Sequence, residues 1–375
     1  MKAAISIMLA AGGTGGHLFP AFALAEELSH RGAYVDLITD MRGDRYGSGF
    51  PARAVYQVPS ATLASRSPAD FTKTAIALAR GVKAAHAILG NAKPNAVIGF
   101  GGYPTFPPLV AAKLRGVPTA IHEQNAVLGR ANKMLAGRVT AIATSFERTK
   151  DIEGALAAKT TLTGNPVRAS VIAAARRPYE PPEPDGEVRI LVFGGSQGAR
   201  YFSDAVPPAL IELPDALRAR LRVTQQAREE DVERVRDAYS AAGIVADIAP
   251  FFKDMPESMA ASHLVIGRAG ASTVAELTVI GRPSILVPLP HALDNDQLNN
   301  ALRLEEAGGG WCIEQKRLTP EKLADEIERL VAAPEMLAAA AAAAKSAGRP
   351  DAVSRLADFA LALAGAKPTE TSATT

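Results

Sequence analysis

Short apolar runs alternate with amphipathic stretches along most of this chain. "AAISIMLA" (3–10) precedes a helical pattern over Phe19–His30, and "YVDLIT" (34–39), "NAVIGF" (95–100) and "TAIHEQN" (119–125) renew the strand signal. Runs this short, separated by helical patterns, predict parallel strands joined by crossover helices, an α/β arrangement. From Val188, "VRILVFGGSQGARYFSDAVPPALIEL" replays the opening. "GGTGGH" at 12–17 and "GGSQGA" at 194–199 are offset by 182 positions, close to half of the 375. The economical reading is two doubly wound, Rossmann-like domains in tandem.

The segment "RPYEPPEPDGE" (177–187) is too rich in proline to run through a central strand or a helix interior. The boundary falls between "TLTGNPVR" (161–168) and this segment, and the domains are read as 1–164 and 165–347. The run "MLAAAAAAAKSA" favours helix by composition alone. After it, 348–366 carries one more amphipathic helix, about Asp351 to Ala364, expected to return to the first domain. The tail 367–375, "KPTETSATT", reads as disordered.

Composition narrows the picture. The single cysteine, Cys312, leaves no internal disulfide and fits a reducing cytoplasm. No apolar run reaches the ~18 residues of a membrane-spanning helix. Lys2 and the apolar residues after it imitate a signal peptide, but they lead straight into a glycine loop and a helix, as a buried first strand does. Residues 1–164 hold 18 Lys+Arg against 10 Asp+Glu, a net of +8, so the remainder carries −6. Such polarity suits an anionic surface. With 5% aromatics and no nucleic-acid motif, a membrane surface is favoured over nucleic acid.

Three segments place glycines after a strand: "AGGTGGHLFPA" (11–21), "GFGGY" (99–103) and "GGSQGAR" (194–200). A strand that passes through glycines into a helix exposes unpaired N–H groups to an anion, and the helix dipole adds partial positive charge. A dinucleotide fingerprint would need Gly or Ala at position 18, where Leu18 stands, and no Gly-Lys-Ser/Thr of a P-loop follows. That argues against a nicotinamide-dependent oxidoreductase. His17 sits beside a helix N-terminus, which favours its neutral, base-competent form; capping or packing that helix is the plainer alternative. His122 and Glu123, at a strand end, are the second candidates for acid–base work. Asn125 both donates and accepts, as sugar hydroxyls require. Ser196, with the backbone of Gln197 and Gly198, suits a phosphate. Thr273 and Glu276 have the spacing of a capping box, which would explain that glutamate without a ligand. Asp294 and Asp296 form an isolated Asp-x-Asp, a weak metal signal, and no catalytic metal or cofactor is expected. On 71–89, Phe71, Ala75, Leu78, Val82, Ala85 and Leu89 form one helical stripe expected in the core. Lys73, Arg80 and Lys83 lie on another face near Ile76.

"GGTGGHLFPA", "GFGGYPTFPP", "HEQNAVLGRANK", "TGNPVR", "GGSQGAR" and "RAGASTVAEL", in this order over nearly the whole chain, closely resemble the MurG family of N-acetylglucosaminyltransferases. The resemblance implies a GT-B fold, two Rossmann-like domains facing a cleft. It implies UDP-N-acetylglucosamine as donor, undecaprenyl-linked lipid I as acceptor and lipid II as product. It also implies a peripheral place on the cytoplasmic face of the inner membrane, beside cell-wall synthesis and division proteins. By the same resemblance the acceptor side is the first domain, with Thr14, Gly15 and Gly16 at the substrate and His17 as the favoured base. Asn125 would bind the donor, and Arg168 would reach its diphosphate across the cleft. Ala271, Ser272, Thr273, Val274, Ala275 and Glu276 would contact the nucleotide, with Glu276 on the ribose hydroxyls. Gln297 would bind sugar hydroxyls; Asp296 departs from the family's glutamine. Phe252 falls where the family supplies backbone contacts to uracil, although an aliphatic residue is expected there. The alternatives are a related GT-B enzyme acting on another lipid, such as diacylglycerol, and a noncatalytic UDP-sugar-binding subunit.

Overall fold

The computed structural model describes residues 4–12, 15–40, 49–60, 68–290 and 292–366, with the backbone alone at 15, 68–72, 196–199 and 293. Thr14 and the tail 367–375 therefore lie outside the described residues. The chain forms two compact units, one of 1–167 with 351–375 and one of 168–350.

In the first unit the order is β1 (Ser6–Ala10), α1 (Gly15–His30), β2 (Tyr34–Thr39), β3 (Ala54–Gln57), α2 (Pro68–Ala92), β4 (Ala96–Gly99), α3 (Phe106–Leu114), β5 (Thr119–Glu123), α4 (Arg130–Ala136), β6 (Ala141–Thr144) and β7 (Thr160–Leu162). Its seven strands pair in parallel in the order β3-β2-β1-β4-β5-β6-β7. Successive residues of β1 feed opposite faces, as the two-residue repeat of a strand requires. Ile7 and Leu9 pack with Leu18, Leu24 and Leu28 of α1. Met8 packs instead with Ala85 and Leu89 of α2 and Leu109 of α3. Both faces are covered, so the strands read as continuous apolar runs rather than as alternating ones.

The second unit holds α5 (Ala169–Ala174), β8 (Val188–Phe193), α6 (Gly195–Glu212), α7 (Asp215–Arg218), β9 (Leu221–Gln226), α8 (Val232–Ala241), β10 (Val245–Ala249), α9 (Met255–Ala261), β11 (Leu264–Gly267), α10 (Ala271–Ile280), β12 (Ser284–Leu286), α11 (Asp296–Glu306), β13 (Gly310–Cys312), α12 (Pro320–Val331) and α13 (Pro334–Ala347). Its six parallel strands run β10-β9-β8-β11-β12-β13, the first unit's order without a seventh strand. In each sheet the strand order reverses beside the first strand, at β1/β4 and at β8/β11. Ligands of open α/β sheets bind outside the strand ends at such a point. The last helix, α14 (Ala352–Leu363), belongs to the first unit, burying Leu356, Ala357 and Ala360 with the α1 residues. Arg31 fastens it there, 2.5 Å from Asp358 and 2.6 Å from Ser354 Oγ.

The proline-rich segment is anchored by a residue that reads as a surface charge in the sequence. Arg282 is 1% exposed and donates to the carbonyls of Ala260, Ile280 and Gly281, and to those of Arg177 and Pro178 at the segment's start. It lies over the Tyr179 ring at 5.4 Å. Burial lowers its pKa to about 10, so it remains a cation at neutral pH, matched by carbonyl dipoles.

The stripe expected along α2 needs correction. Ala85 and Leu89 are buried, but Leu78 and Val82 are half-buried and Ala75 is exposed; the Phe71 side chain lies outside the described residues. The buried face runs instead through Gly81, where a Cβ would stand 2.2 Å from the Pro59 carbonyl oxygen. Helix α2 passes so close to its neighbours that glycine, not a larger apolar residue, occupies the contact.

Candidate active site

In the first unit the ends of β1, β4 and β5 converge on His17. Helix α1 begins at Gly15, four residues before the helical pattern suggests, so Gly15, Gly16 and His17 form its first turn. Past β4, Gly101 and Gly102 hold φ of +87° and +73°, and Gly102 has ψ of 161°, a conformation essentially confined to glycine. A Cβ at Gly101 would lie 3.2 Å from His17 Cε1, and one at Gly102 3.3 Å from Cδ2. The glycines of the second loop are the seat of the imidazole of the first.

His17 Nδ1 lies 3.4 Å from Gln124 Oε1. Burial lowers the His17 pKa, and hydrogen bonds to Gln124 and to the Phe100 backbone oppose it, so the ring is neutral at pH 7. Behind it, Gln124 Nε2 is 3.0 Å from His122 Nδ1, and His122 Nε2 is 3.0 Å from the Gly164 carbonyl. His122 is fully buried, and burial lowers its pKa to about 4.

Glu123 faces the other way. Its Oε1 accepts from the backbone N–H and side-chain amide of Asn125 at 3.0 and 3.3 Å. Its Oε2 accepts from Gly129 N–H at 2.9 Å and from Asn132 Nδ2 at 2.7 Å. Burial raises its pKa against those four donors. The geometry favours His17 over His122 and Glu123, the second candidates for the base. Both are buried, both ring nitrogens of His122 are engaged, and the carboxylate already binds four donors. They are the frame that holds Gln124 and Asn125.

In the second unit the end of β11 and the start of α10 form a second cluster. The N-cap of α10 is Gly270, which puts Ala271 to Glu276 in the first two turns. The capping-box reading is therefore wrong: Thr273 lies inside the helix, and Glu276 is one turn too far along to reach an N-terminal N–H. Glu276 meets Arg168 instead, 3.1 Å from its guanidinium, with the glutamate 14% and the arginine 53% exposed. Burial raises the Glu276 pKa, against the nearby Arg168 charge. The two donor-side residues are thus paired with each other within one unit. Gly195 (φ +64°) opens α6, and Ser196, Gln197 and Gly198 form its first turn, their side chains lying outside the description. Phe252 is half-buried on the loop between β10 and α9.

Gln297, in the first turn of α11, accepts from Leu289 N–H at 3.0 Å and so ties its helix to the loop after β12. Arg268, unremarked in the sequence, holds the same loop. It donates to the carbonyls of Val287 and Pro288 and to Gln315, and lies over Tyr201 and Phe202 of α6 at 5.0 Å each. Asp296 accepts from Gln297 N–H at 2.6 Å, and burial raises its pKa. Among the described residues no three His, Cys, Asp or Glu side chains are grouped so as to hold a metal ion.

Comparison with known proteins places this geometry. Residues 7–144 match the N-terminal domain of glycosyltransferase family 28, and residues 189–356 match its C-terminal domain. The chain is 55% identical over 359 residues to a protein of Chelativorans sp. (strain BNC1), covering 96% of this chain and 95% of that one. That relative is named a UDP-N-acetylglucosamine--N-acetylmuramyl-(pentapeptide) pyrophosphoryl-undecaprenol N-acetylglucosamine transferase. A Mesorhizobium japonicum protein of the same name is also 55% identical, covering 96% of each chain. The crystal structure of Acinetobacter baumannii MurG superposes with a TM-score of 0.80 at 29% identity, covering 96% of this chain and 99% of that one.

Proposed function

The chain belongs to glycosyltransferase family 28, in its MurG branch, and from that premise we propose how its residues divide the work. It is a GT-B enzyme that transfers N-acetylglucosamine from UDP-N-acetylglucosamine to the muramyl sugar of lipid I, giving lipid II for peptidoglycan synthesis. We assign the attack to the C4 hydroxyl of that sugar. Its oxygen forms the new bond to the anomeric carbon as the bond to the UDP oxygen breaks, with inversion. His17 takes the hydroxyl proton, and UDP departs with its charge met by helix N-termini at α6 and α10. Glu276 accepts from the ribose hydroxyls, releasing Arg168 towards the diphosphate. Asn125 and Gln297 bind sugar hydroxyls.

The observation that carries this reading is the seat of His17: a neutral, half-buried imidazole at the β1/β4 reversal, held against two glycines of positive φ. The test is transfer of labelled N-acetylglucosamine to a lipid I analogue, with UDP-N-acetylgalactosamine as the control donor. Turnover with the first donor and little with the second is expected. Transfer to diacylglycerol in place of the lipid I analogue overturns the acceptor assignment, and donor binding without turnover overturns the enzyme.

We assign the enzyme to the cytoplasmic face of the inner membrane, bound through one face of its first unit. Helices α2, α3 and α4 cover that face of the sheet, and residues 68–92, 106–115 and 130–138 hold eight Lys or Arg against one acidic residue, Asp70. Exposed apolar side chains sit among these cations: Ile76 beside Lys73, Arg80 and Lys83, Leu114 between Lys113 and Arg115, and Met134 beside Lys133. Each cation near an anionic leaflet contributes about 1 kcal/mol. Among the described residues no single helix is long and apolar enough to cross a membrane. Flotation with anionic vesicles, lost with zwitterionic ones or on changing Lys73, Arg80 and Lys83 together to Glu, is the expected result; equal flotation with both lipids refutes the assignment.

A further inference from the structure

We propose that Gln124 is a positioning residue for the transfer: it fixes His17 as the Nδ1–H tautomer and so leaves Nε2 to take the acceptor's proton. The inference rests on the reading of His17 as the base and extends it to the groups behind the ring.

Two backbone carbonyls, which only accept, determine the direction of every hydrogen bond in the chain of contacts. Gly164 O lies 3.0 Å from His122 Nε2, so that nitrogen carries the hydrogen. The buried His122 ring is neutral, and a neutral imidazole has one N–H, so its Nδ1 presents a lone pair. Gln124 Nε2 stands 3.0 Å from that lone pair and 3.1 Å from the His122 carbonyl oxygen. Two acceptors on one side require the amide NH2 there; turned over, the amide would aim its oxygen at both. Its oxygen therefore points the other way, to His17 Nδ1 at 3.4 Å, and a carbonyl-type oxygen demands an N–H from that nitrogen. The Phe100 backbone is a second hydrogen-bond partner of this ring; a neutral imidazole has one N–H, and with that hydrogen on Nδ1 facing Gln124 the lone pair is on Nε2.

The local fold makes this arrangement rigid. His122 is the penultimate residue of β5, and Gln124, two positions on, projects to the same side as a strand repeat requires. Both are buried, at 0% and 2% exposure, so neither amide nor ring has water as an alternative partner. The His122 ring packs tilted against Phe100, centroids 5.5 Å apart, and the Phe100 backbone N–H is bonded to Ala10 of β1. Three strand ends thus fix one tautomer.

Nitrogen-15 NMR of the full-length protein with labelled histidine reads the tautomer directly, and of the six histidines the His17 signals are those lost in His17→Ala. The Nδ1–H form is expected in the parent. An Nε2–H form there overturns the proposal without any change at Gln124. Gln124→Met keeps the volume and removes both amide functions. It is expected to lower kcat by roughly tenfold to a thousandfold, short of the ~10⁴-fold lost when an imidazole is held in the wrong tautomer because Met frees the ring rather than reversing it, with KM for UDP-N-acetylglucosamine within about twofold. In a His17→Ala background Gln124→Met is expected to cost nothing further, because its effect passes through the imidazole. An equal loss in both backgrounds assigns Gln124 a merely structural role and overturns the proposal.

Discussion

Replacing Gly102 with alanine tests whether the second glycine loop exists to seat His17. The residue holds φ +73° and ψ 161°, and forcing an L side chain into that region costs about 1–3 kcal/mol. The new Cβ would stand 3.3 Å from His17 Cδ2, 3.4 Å from Pro104 Cδ and 3.5 Å from His17 Nε2. The first distance is short enough that the ring must yield by a few tenths of an ångström. The last brings a methyl group to the nitrogen assigned to the proton transfer. A displacement of ~1 Å costs a reacting group about a hundredfold, so this smaller shift with partial blocking predicts a fall of roughly ten- to a hundredfold in turnover. Gly116→Ala is the matched control. Its φ is +69°, nothing lies within 4 Å of the added atom, and it sits on the turn after α3, away from the site. It should lose ~1 kcal/mol, about 2–4 °C in Tm, with turnover intact. The assay is initial-rate transfer at saturating donor and acceptor, paired with thermal unfolding of both variants. If Gly102→Ala turns over within twofold of the parent, the loop does not seat the base. If both variants lose activity in proportion to stability, the effect is global.

Glu276→Ala should weaken UDP-N-acetylglucosamine binding by the ~1.5–3 kcal/mol of hydrogen bonds to a charged group. It should leave Tm nearly unchanged, because Gly270 and not Glu276 ends the helix and the lost ion pair is half in water; titration calorimetry showing unaltered affinity alongside a lowered Tm refutes the ribose assignment. Arg282→Met leaves five carbonyls without their donor and should cost about 3–5 kcal/mol, read as a lowered urea midpoint, whereas a midpoint equal to the parent's removes the arginine as the anchor of the linker. Acid should destabilise the protein through His122. The unfolded chain takes up that proton near pH 6.5 and the folded chain only near pH 4. The stability present above pH 6.5 is therefore lost as pH falls through this window, by up to about 3 kcal/mol. His122→Phe should flatten that segment of the urea-midpoint profile, and an unchanged slope shows that another group carries it.

The features legible in the sequence are those that repeat or break a pattern. Two glycine-bearing strand–helix turns 182 positions apart correspond to two sheets of the same strand order, with the turns at matching reversals. The apolar runs are strands because both sheet faces are covered. Boundaries of helices were less legible where local preference and tertiary placement disagree. Gly15 and Gly16 weaken a helix by about 1 kcal/mol each in isolation. Here they begin α1 because β1 delivers the chain to that point. The capping-box spacing of Thr273 and Glu276 misled for a related reason. The helix starts at Ala271, two residues before Thr273, and the spacing alone does not say where a helix begins.

Buried polar groups were the least legible. Arg268 and Arg282 look like surface charge in any composition, and their roles depend on carbonyls from loops up to 105 residues away. Glu123 and His122 drew attention because they titrate, while Gln124, which does not, stood between them and Asn125 without a reason to be noticed. Yet the strand repeat puts 122 and 124 on one side and 123 on the other, and that division orders the site. On one side lie two imidazoles with an amide between them, each donor–acceptor direction forced by the last. On the other lies a carboxylate that spends all its capacity on Asn125, Gly129 and Asn132. A titratable residue at a strand end therefore has two fates, to react or to hold the residue that does. Burial together with the number of partners, not the ionisable group itself, separates His17 from His122.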